Sequence, residues 1–157
     1  MTATSDAGAD RPRMAGLASL NHLLQRELMA VETYEHVVQQ FAGHPVESEL
    51  RQIRRDHHQA AGLLEAMVYN LTGEPARGLE TSGAAVPHGP DQARPDAVFA
   101  ALRQAEERAA ADYDAFLQAE ENPQECRFAI RAQVFPQCHE HIDMLADMAT
   151  GFAPAQG

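Results

Sequence analysis

The chain has few of the residues that mark membrane, disulfide-rich or β-sheet proteins. Its 157 residues include no tryptophan, two cysteines and only 6% aromatic residues, and runs of β-branched residues are scarce. No apolar run approaches the roughly 20 residues that a transmembrane helix needs. Alanine and other good helix formers are frequent instead, which favours helix throughout. The sequence therefore predicts an all-α protein that does not span a membrane.

Positive charge is also scarce. The chain has 12 arginines and no lysine against 23 aspartates and glutamates, and its net charge is -11 with a pI near 5.0. Such a surface repels nucleic-acid phosphates and anionic lipid, so we expect neither as a partner. It attracts cations. The length suits one domain with a single core rather than two domains.

The two cysteines indicate a reducing compartment. Cys126 and Cys138 are twelve residues apart in one predicted helix, hence about 18 Å apart, too far for a disulfide. Their spacing is not that of a zinc ribbon or a redox CxxC motif. The polar start MTATSDAGADRPR lacks the apolar stretch of a signal peptide. We therefore expect reduced thiols in a cytoplasmic protein.

Hydrophobic periodicity at three and four residues predicts four amphipathic helices. Their approximate ranges are 14–42, 45–72, 95–121 and 123–150. Gly43 ends the first and Pro45 suits the first turn of the second. Asn122 and Pro123 are typical of the N-cap and first residue of the fourth, and Pro136 should kink that helix.

Between and beyond the helices, three segments lack a periodic pattern. Residues 1–13 predict a disordered arm and 151–157 a flexible tail around a domain at 14–150. The segment 73–94 is rich in Gly, Pro and Ala. At up to 3.3–3.6 Å per residue it can run the roughly 40 Å length of a 27-residue helix. One long crossover between two short-turn hairpins is therefore predicted.

A doubled pattern of glutamate, tyrosine and histidine lies on the apolar faces. Glu27 precedes Tyr34 by seven residues, as Glu106 precedes Tyr113. One histidine of each half, His57 and His141, shares the apolar face of its helix. The repeat predicts a pseudo-twofold axis that brings both sets to one centre. An inward carboxylate costs several kcal/mol unless it is paired or bound to a metal.

Helical phase, at 100° per residue, separates these residues from their neighbours. The acids and histidines assigned to the polar faces are Glu32, Glu107, His58 and His139. The candidate metal ligands are Glu27, His57, Glu106 and His141, a set of oxygen and nitrogen donors suited to iron, manganese or zinc. Tyr34 and Tyr113 are either hydrogen-bond donors to ligating carboxylates or ordinary core aromatics.

These motifs resemble the ferritin-like superfamily, particularly its rubrerythrin branch. Residues 18–148, with LTGEP after the second helix and AEERAAADYDAFL on the third, are similar to a bacterial ferritin-like domain family of unknown function. The resemblance implies a ferritin-like four-helix bundle in which Glu27 and Glu106 match terminal glutamates of a di-iron site, and His57 and His141 its histidines. It also implies iron oxidation or oxygen and peroxide chemistry.

The chain departs from that family at two positions. Di-iron members carry a bridging glutamate three residues before each histidine, where this chain has Arg54 and Cys138. Asp56 or Glu140 could replace the missing carboxylates only with distorted helix geometry. A single metal is therefore the simpler expectation.

The alternative is a metal-free bundle that serves as a structural or stress-associated interaction module. In it, Arg54 forms a buried ion pair with Glu27, and the inner carboxylates and histidines form a hydrogen-bonded network. Enzymatic activity and assembly into a homo-oligomer both remain open on the sequence alone.

Overall fold

The computed structural model describes residues 7–76 and 94–152, and these ranges contain five α-helices and no strand. The helices are α1 (Ala7–Gln40), α2 (Glu47–Thr72), α3 (Pro95–Gln118), α4 (Gln124–Gln133) and α5 (Phe135–Gly151). The prediction of an all-helical bundle is confirmed. None of the described helices is long and apolar enough to cross a membrane.

The helix limits differ from the predicted ones at both ends. Helix α1 begins at Ala7, so residues 7–13, assigned to a disordered arm, are helical. Helix α5 ends at Gly151, the first residue assigned to the tail. Residues 1–6, 153–157 and most of the predicted crossover, 77–93, lie outside the described residues.

The fourth predicted helix is two helices, α4 and α5, separated at Val134. Pro136 occupies the first turn of α5. It has no N–H to donate to the preceding turn, and its ring collides with a continuing helix there. The predicted kink is thus a break, and α5 carries its own N-terminus three residues before Cys138.

The helices pack as two hairpins. Helix α1 lies mainly along α2, and α3 lies mainly along α5, whereas α1 and α3 touch each other much less. The apolar faces form two clusters, one around Leu24, Leu64 and Ile130, the other around Val37 and Phe99. Buried polar side chains lie between these clusters on four of the helices. The site is therefore a polar layer at mid-bundle with apolar packing above and below.

Two glycines of α2 give opposite expectations for stability. Gly62 lies inside the helix, where an added Cβ meets nothing within 4 Å, so Gly62→Ala should stabilise by about 0.5–1 kcal/mol. Gly73 ends the helix at φ +72, in the left-handed region. Gly73→Ala should destabilise by about 1 kcal/mol. Urea unfolding measures the free energy of unfolding of both variants. If both substitutions changed it in the same direction, the assigned end of α2 would be contradicted.

Candidate metal centre

The polar layer consists of Glu27, His57, Glu106 and His141, one from each of α1, α2, α3 and α5. All four are buried, with at most 5% of each residue exposed. Each occupies the apolar stripe of its helix, as the phase analysis predicted. Their neighbours point away from the layer: Glu107, His58 and His139 are exposed and Glu32 is half-buried. The layer places two carboxylates and two imidazoles in the low-dielectric interior.

His57 bridges the two glutamates. Its Nδ1 lies 2.6 Å from Glu27 Oε2 and its Nε2 lies 2.8 Å from Glu106 Oε1. The ring also stacks on Tyr34, with centroids 5.3 Å apart. Burial alone lowers the pKa of His57, but the hydrogen bonds to Glu106 and Glu27 outweigh it and raise the pKa from 6.5 to about 10. Without a metal, this histidine is an imidazolium that donates to both carboxylates.

His141 is held differently. Its Nε2 lies 3.0 Å from Asp56 Oδ2, and its Nδ1 lies 3.5 Å from Glu106 Oε2. Neither His141 Nδ1 nor Glu106 Oε2 has a hydrogen-bond partner among the described residues, although both atoms are buried. Two orphaned polar atoms therefore face one another beside His57, whose ring centroid is 5.1 Å from that of His141.

The two tyrosines cross between the hairpins. Tyr34 on α1 donates to Glu106 Oε1 on α3 at 2.7 Å, and Tyr113 on α3 donates to Glu27 Oε1 on α1. Burial, followed by the carboxylates, raises the pKa of both phenols, so both remain donors at neutral pH. Burial would raise the pKa of Glu106, but its contacts with His141 and His57 lower it overall. The tyrosines thus fix the orientation of both carboxyl groups.

Three residues of the layer can hold a metal ion. Ligand atoms of His57, Glu106 and His141 all lie within 4.8 Å of one another. Ligands bound at about 2.1 Å are about 3.0–3.4 Å apart around an octahedral or tetrahedral ion, so closure requires only small side-chain shifts. Glu27, predicted as a fourth ligand, is not in this group. Its two oxygens accept from Tyr113 and contact His57 Nδ1.

The expected ion pair between Arg54 and Glu27 is wrong. Arg54 pairs with Glu35 instead, and both side chains are partly exposed. Helices α1 and α2 are antiparallel, so a residue one turn before His57 on α2 meets α1 beyond Glu27, towards its C-terminus. Arg54 therefore lies outside the layer and leaves its carboxylates without an arginine.

Asp56 contacts the polar layer, which the sequence did not predict for a regular helix. It was expected to reach the site only through a distorted helix, yet α2 is continuous and Asp56 still contacts His141 Nε2. One residue before the inward His57, it lies about 100° round the helix, on the side that meets α5. Glu140, the other candidate, is exposed. The position of an aspartate directly before an inward histidine was the feature of the sequence from which this contact could have been predicted.

Comparisons with protein-family models, with curated proteins and with solved structures find no match for this chain.

The tyrosine hydrogen bonds predict unequal losses of stability. Tyr113 is the donor to Glu27 Oε1, so Tyr113→Phe should destabilise by about 1–3 kcal/mol. Tyr34→Phe should cost less, because Glu106 Oε1 keeps its contact with His57. Tyr69→Phe is the matched control, since Tyr69 is 54% exposed. Denaturant unfolding with a chelator present measures all three, and an equal effect of Tyr69→Phe would contradict the assignment.

Cys138 lies near the layer as a buried, protonated thiol. Its Sγ is 3.8 Å from the Val134 carbonyl oxygen. Burial, reinforced by Glu106 and Glu27, raises its pKa to about 12, and burial also raises the pKa of Cys126. At pH 8 the Cys138 thiol stays protonated. Both thiols should therefore react with a chromogenic disulfide reagent only after unfolding. Rapid native reaction of two thiols would contradict their burial.

Proposed function

We propose that this chain is a ferritin-like bundle protein that binds one non-haem transition metal ion, iron foremost, through His57, Glu106 and His141. The observation that carries the proposal is the pair of orphaned atoms, Glu106 Oε2 and His141 Nδ1, buried and 3.5 Å apart. A buried polar atom without a partner costs about 1–3 kcal/mol. A cation bound between them would satisfy both atoms at once.

The outer contacts of the histidines also support a metal. Each histidine directs one ring nitrogen towards Glu106 and the other towards a second carboxylate, Glu27 for His57 and Asp56 for His141. Histidines that bind metals commonly donate their second N–H to a carboxylate, which fixes the ring and makes it a stronger ligand. Glu27 and Asp56 would act in this way, as hydrogen-bond acceptors rather than ligands.

The balance of charge in the interior favours a cation too. Glu27, Asp56 and Glu106 bring up to three negative charges to one region, whereas the two histidines can bring at most two positive charges. Arg54 is paired elsewhere. With His57 alone protonated, the three carboxylates leave a net charge of about -2, and a divalent ion bound by two neutral histidines would lower it to about -1, which reduces the cost of burying these charges.

One ion fits better than two. Glu106 is the single carboxylate within the candidate group, and two adjacent metals need bridging carboxylates to offset their repulsion. The ferritin-like family has its bridging glutamates at the positions of Arg54 and Cys138. In this chain Arg54 pairs with Glu35, and the Cys138 thiol contacts the Val134 carbonyl oxygen. The proposal is therefore a mononuclear site in a ferritin-like frame.

The donor set and the resemblance together favour iron. Two histidines and one carboxylate, with further positions open, are a common ligand set of non-haem ferrous iron, although manganese and zinc accept the same donors. Bound iron would supply ferrous oxidation or oxygen and peroxide chemistry. Tyr34 would hold Glu106 in its ligating orientation, and the apolar clusters on both sides would exclude bulk water.

A metal-free structural module is the second candidate. The observation in its favour is His57, which as an imidazolium satisfies both glutamates with contacts of 2.6 and 2.8 Å. This network does not need Arg54. It leaves Glu106 Oε2 and His141 Nδ1 unsatisfied, and for that reason we favour the metal site.

Metal content separates the two candidates. Protein purified without an affinity tag, stripped and reloaded with ferrous iron under anaerobic conditions should bind about one equivalent. At 100 times Kd, the ion should stabilise the fold by about 2.7 kcal/mol. Glu106→Ala and His141→Ala should abolish both effects, because each removes a ligand. Elemental analysis and thermal unfolding provide the two measurements.

Exposed histidines on the same helices provide matched controls. His58→Ala and His139→Ala should bind metal as the unchanged chain does, because both side chains face solvent. A melting temperature that does not change with iron, manganese, zinc or chelator would contradict the proposed metal site and favour the structural module. Loss of binding in His58→Ala or His139→Ala would place the ion on the surface instead.

A further inference from the structure

A groove of about 970 Å³ runs between α1 and α3, which touch each other much less than the helices within each hairpin do. Its lining combines small and aliphatic side chains with polar ones, including Glu27, His57 and Glu106 of the polar layer. On α3 the small side chains include Ala97, Ala101, Ala105 and Ala109, spaced one turn apart. Alanines leave space where larger side chains would have closed the seam. The volume lies at the upper end of the range for small-molecule sites.

The two ends of the groove differ in charge. Helices α1 and α3 are antiparallel here, since Arg26 pairs with Asp112 while Tyr34 reaches back to Glu106. His22, Arg26 and Arg108 line one end, and the opposite end is lined by Val37, Gln40, Ala97 and Val98 without an ionisable group. From Ala97 to Tyr113 the α3 wall spans about 24 Å. The groove is thus long, with basic side chains at one end only, an opposite end without ionisable groups, and the polar layer between them.

Arg108 is the unpaired cation of that end. It is exposed, and no ion pair or hydrogen bond joins it to another described residue. Asp112, one turn further on, is taken by Arg26. In a chain of net charge -11, an unpaired arginine at the mouth of this groove is complementary to an anionic group. The carboxylates below the groove are already held by Tyr34, Tyr113 and His57.

We propose that this groove binds a long-chain amphipathic carboxylate, a fatty-acid type of ligand. Its head would pair with Arg108, and its alkyl chain would lie along the α3 alanines towards Val37 and Val98. Burial of the ligand's alkyl chain contributes about 0.8 kcal/mol of binding free energy per CH₂ group, before the entropic cost of ordering the ligand is subtracted. Glu27, His57 and Glu106 also line the groove, so the ligand would lie over the polar layer. The proposed contacts of its head and its alkyl chain involve no metal ion, and binding is therefore tested without one.

The test uses dodecanoate, below its micellar concentration, titrated calorimetrically into chelator-treated full-length protein. We expect one equivalent to bind, and affinity to fall from dodecanoate to decanoate to octanoate. Ala101→Phe, which fills the groove, should abolish binding, whereas Ala100→Phe should not, because Ala100 is also exposed but does not line the groove. Arg108→Glu should weaken binding by about tenfold or more, and Arg131→Glu, the same charge change on α4, should have no such effect.

Three results would overturn the proposal. The first is equal binding of dodecyltrimethylammonium, which has the same chain and the opposite charge. The second is undiminished dodecanoate binding by Ala101→Phe. The third is no dodecanoate binding together with a dimer in sedimentation that Ala101→Phe dissociates, which would assign the groove to a second copy. Because chelator is present throughout, failure of the metal site would not alter any of these results.

Discussion

The burial of two carboxylates and two imidazoles in one layer is the constraint on which the arrangement of the site depends. A charged group in the interior is tolerated only when its hydrogen bonds and its charge are compensated. Here His57 lies between Glu27 and Glu106 and contacts both. Each glutamate also accepts a hydrogen bond from a tyrosine of the other hairpin. These contacts join α1, α2 and α3, so the polar layer also sets how the hairpins meet.

The layer is asymmetric in a way that matters for function. The tyrosine contacts are reciprocal between the two halves, but the histidine contacts are not. His57 meets both glutamates, while His141 meets Glu106 and Asp56 and leaves one nitrogen unsatisfied. A cation bound between His141 and Glu106 would therefore satisfy the buried atoms that have no hydrogen-bond partner among the described residues. Glu106 is central to both states, as partner of a protonated His57 and as the carboxylate ligand of an ion.

Local pattern was sufficient to predict most of the helical residues and the inward side chains. Phase along each apolar stripe separated Glu27 from Glu32, Glu106 from Glu107 and His57 from His58. This worked because burial imposes a 3.6-residue period on every helix of a bundle. Pro136 likewise marked the place where the fourth helix breaks.

Contacts between helices could not be read in the same way. The pairing of Arg54 with Glu35, and of Asp56 with His141, depends on the relative height and rotation of two helices, which no periodicity within one helix encodes. The extension of α1 to Ala7 was missed because residues 7–13 lack an apolar stripe, so nothing in their pattern indicated a helix. The packing of the helices also determines which oxygen accepts from which donor. The atoms left without a hydrogen-bond partner therefore could not be predicted from the sequence.

The most direct measurement of the central claim is the position of the ion itself. Crystals grown from protein loaded anaerobically with ferrous iron would be measured at the iron absorption edge. The account predicts one anomalous peak in the polar layer, about 2.0–2.2 Å from a nitrogen of His57, a nitrogen of His141 and an oxygen of Glu106, with Glu27 and Asp56 retaining their histidine contacts. A layer without such a peak, in which His57 still bridges the two glutamates, would contradict it.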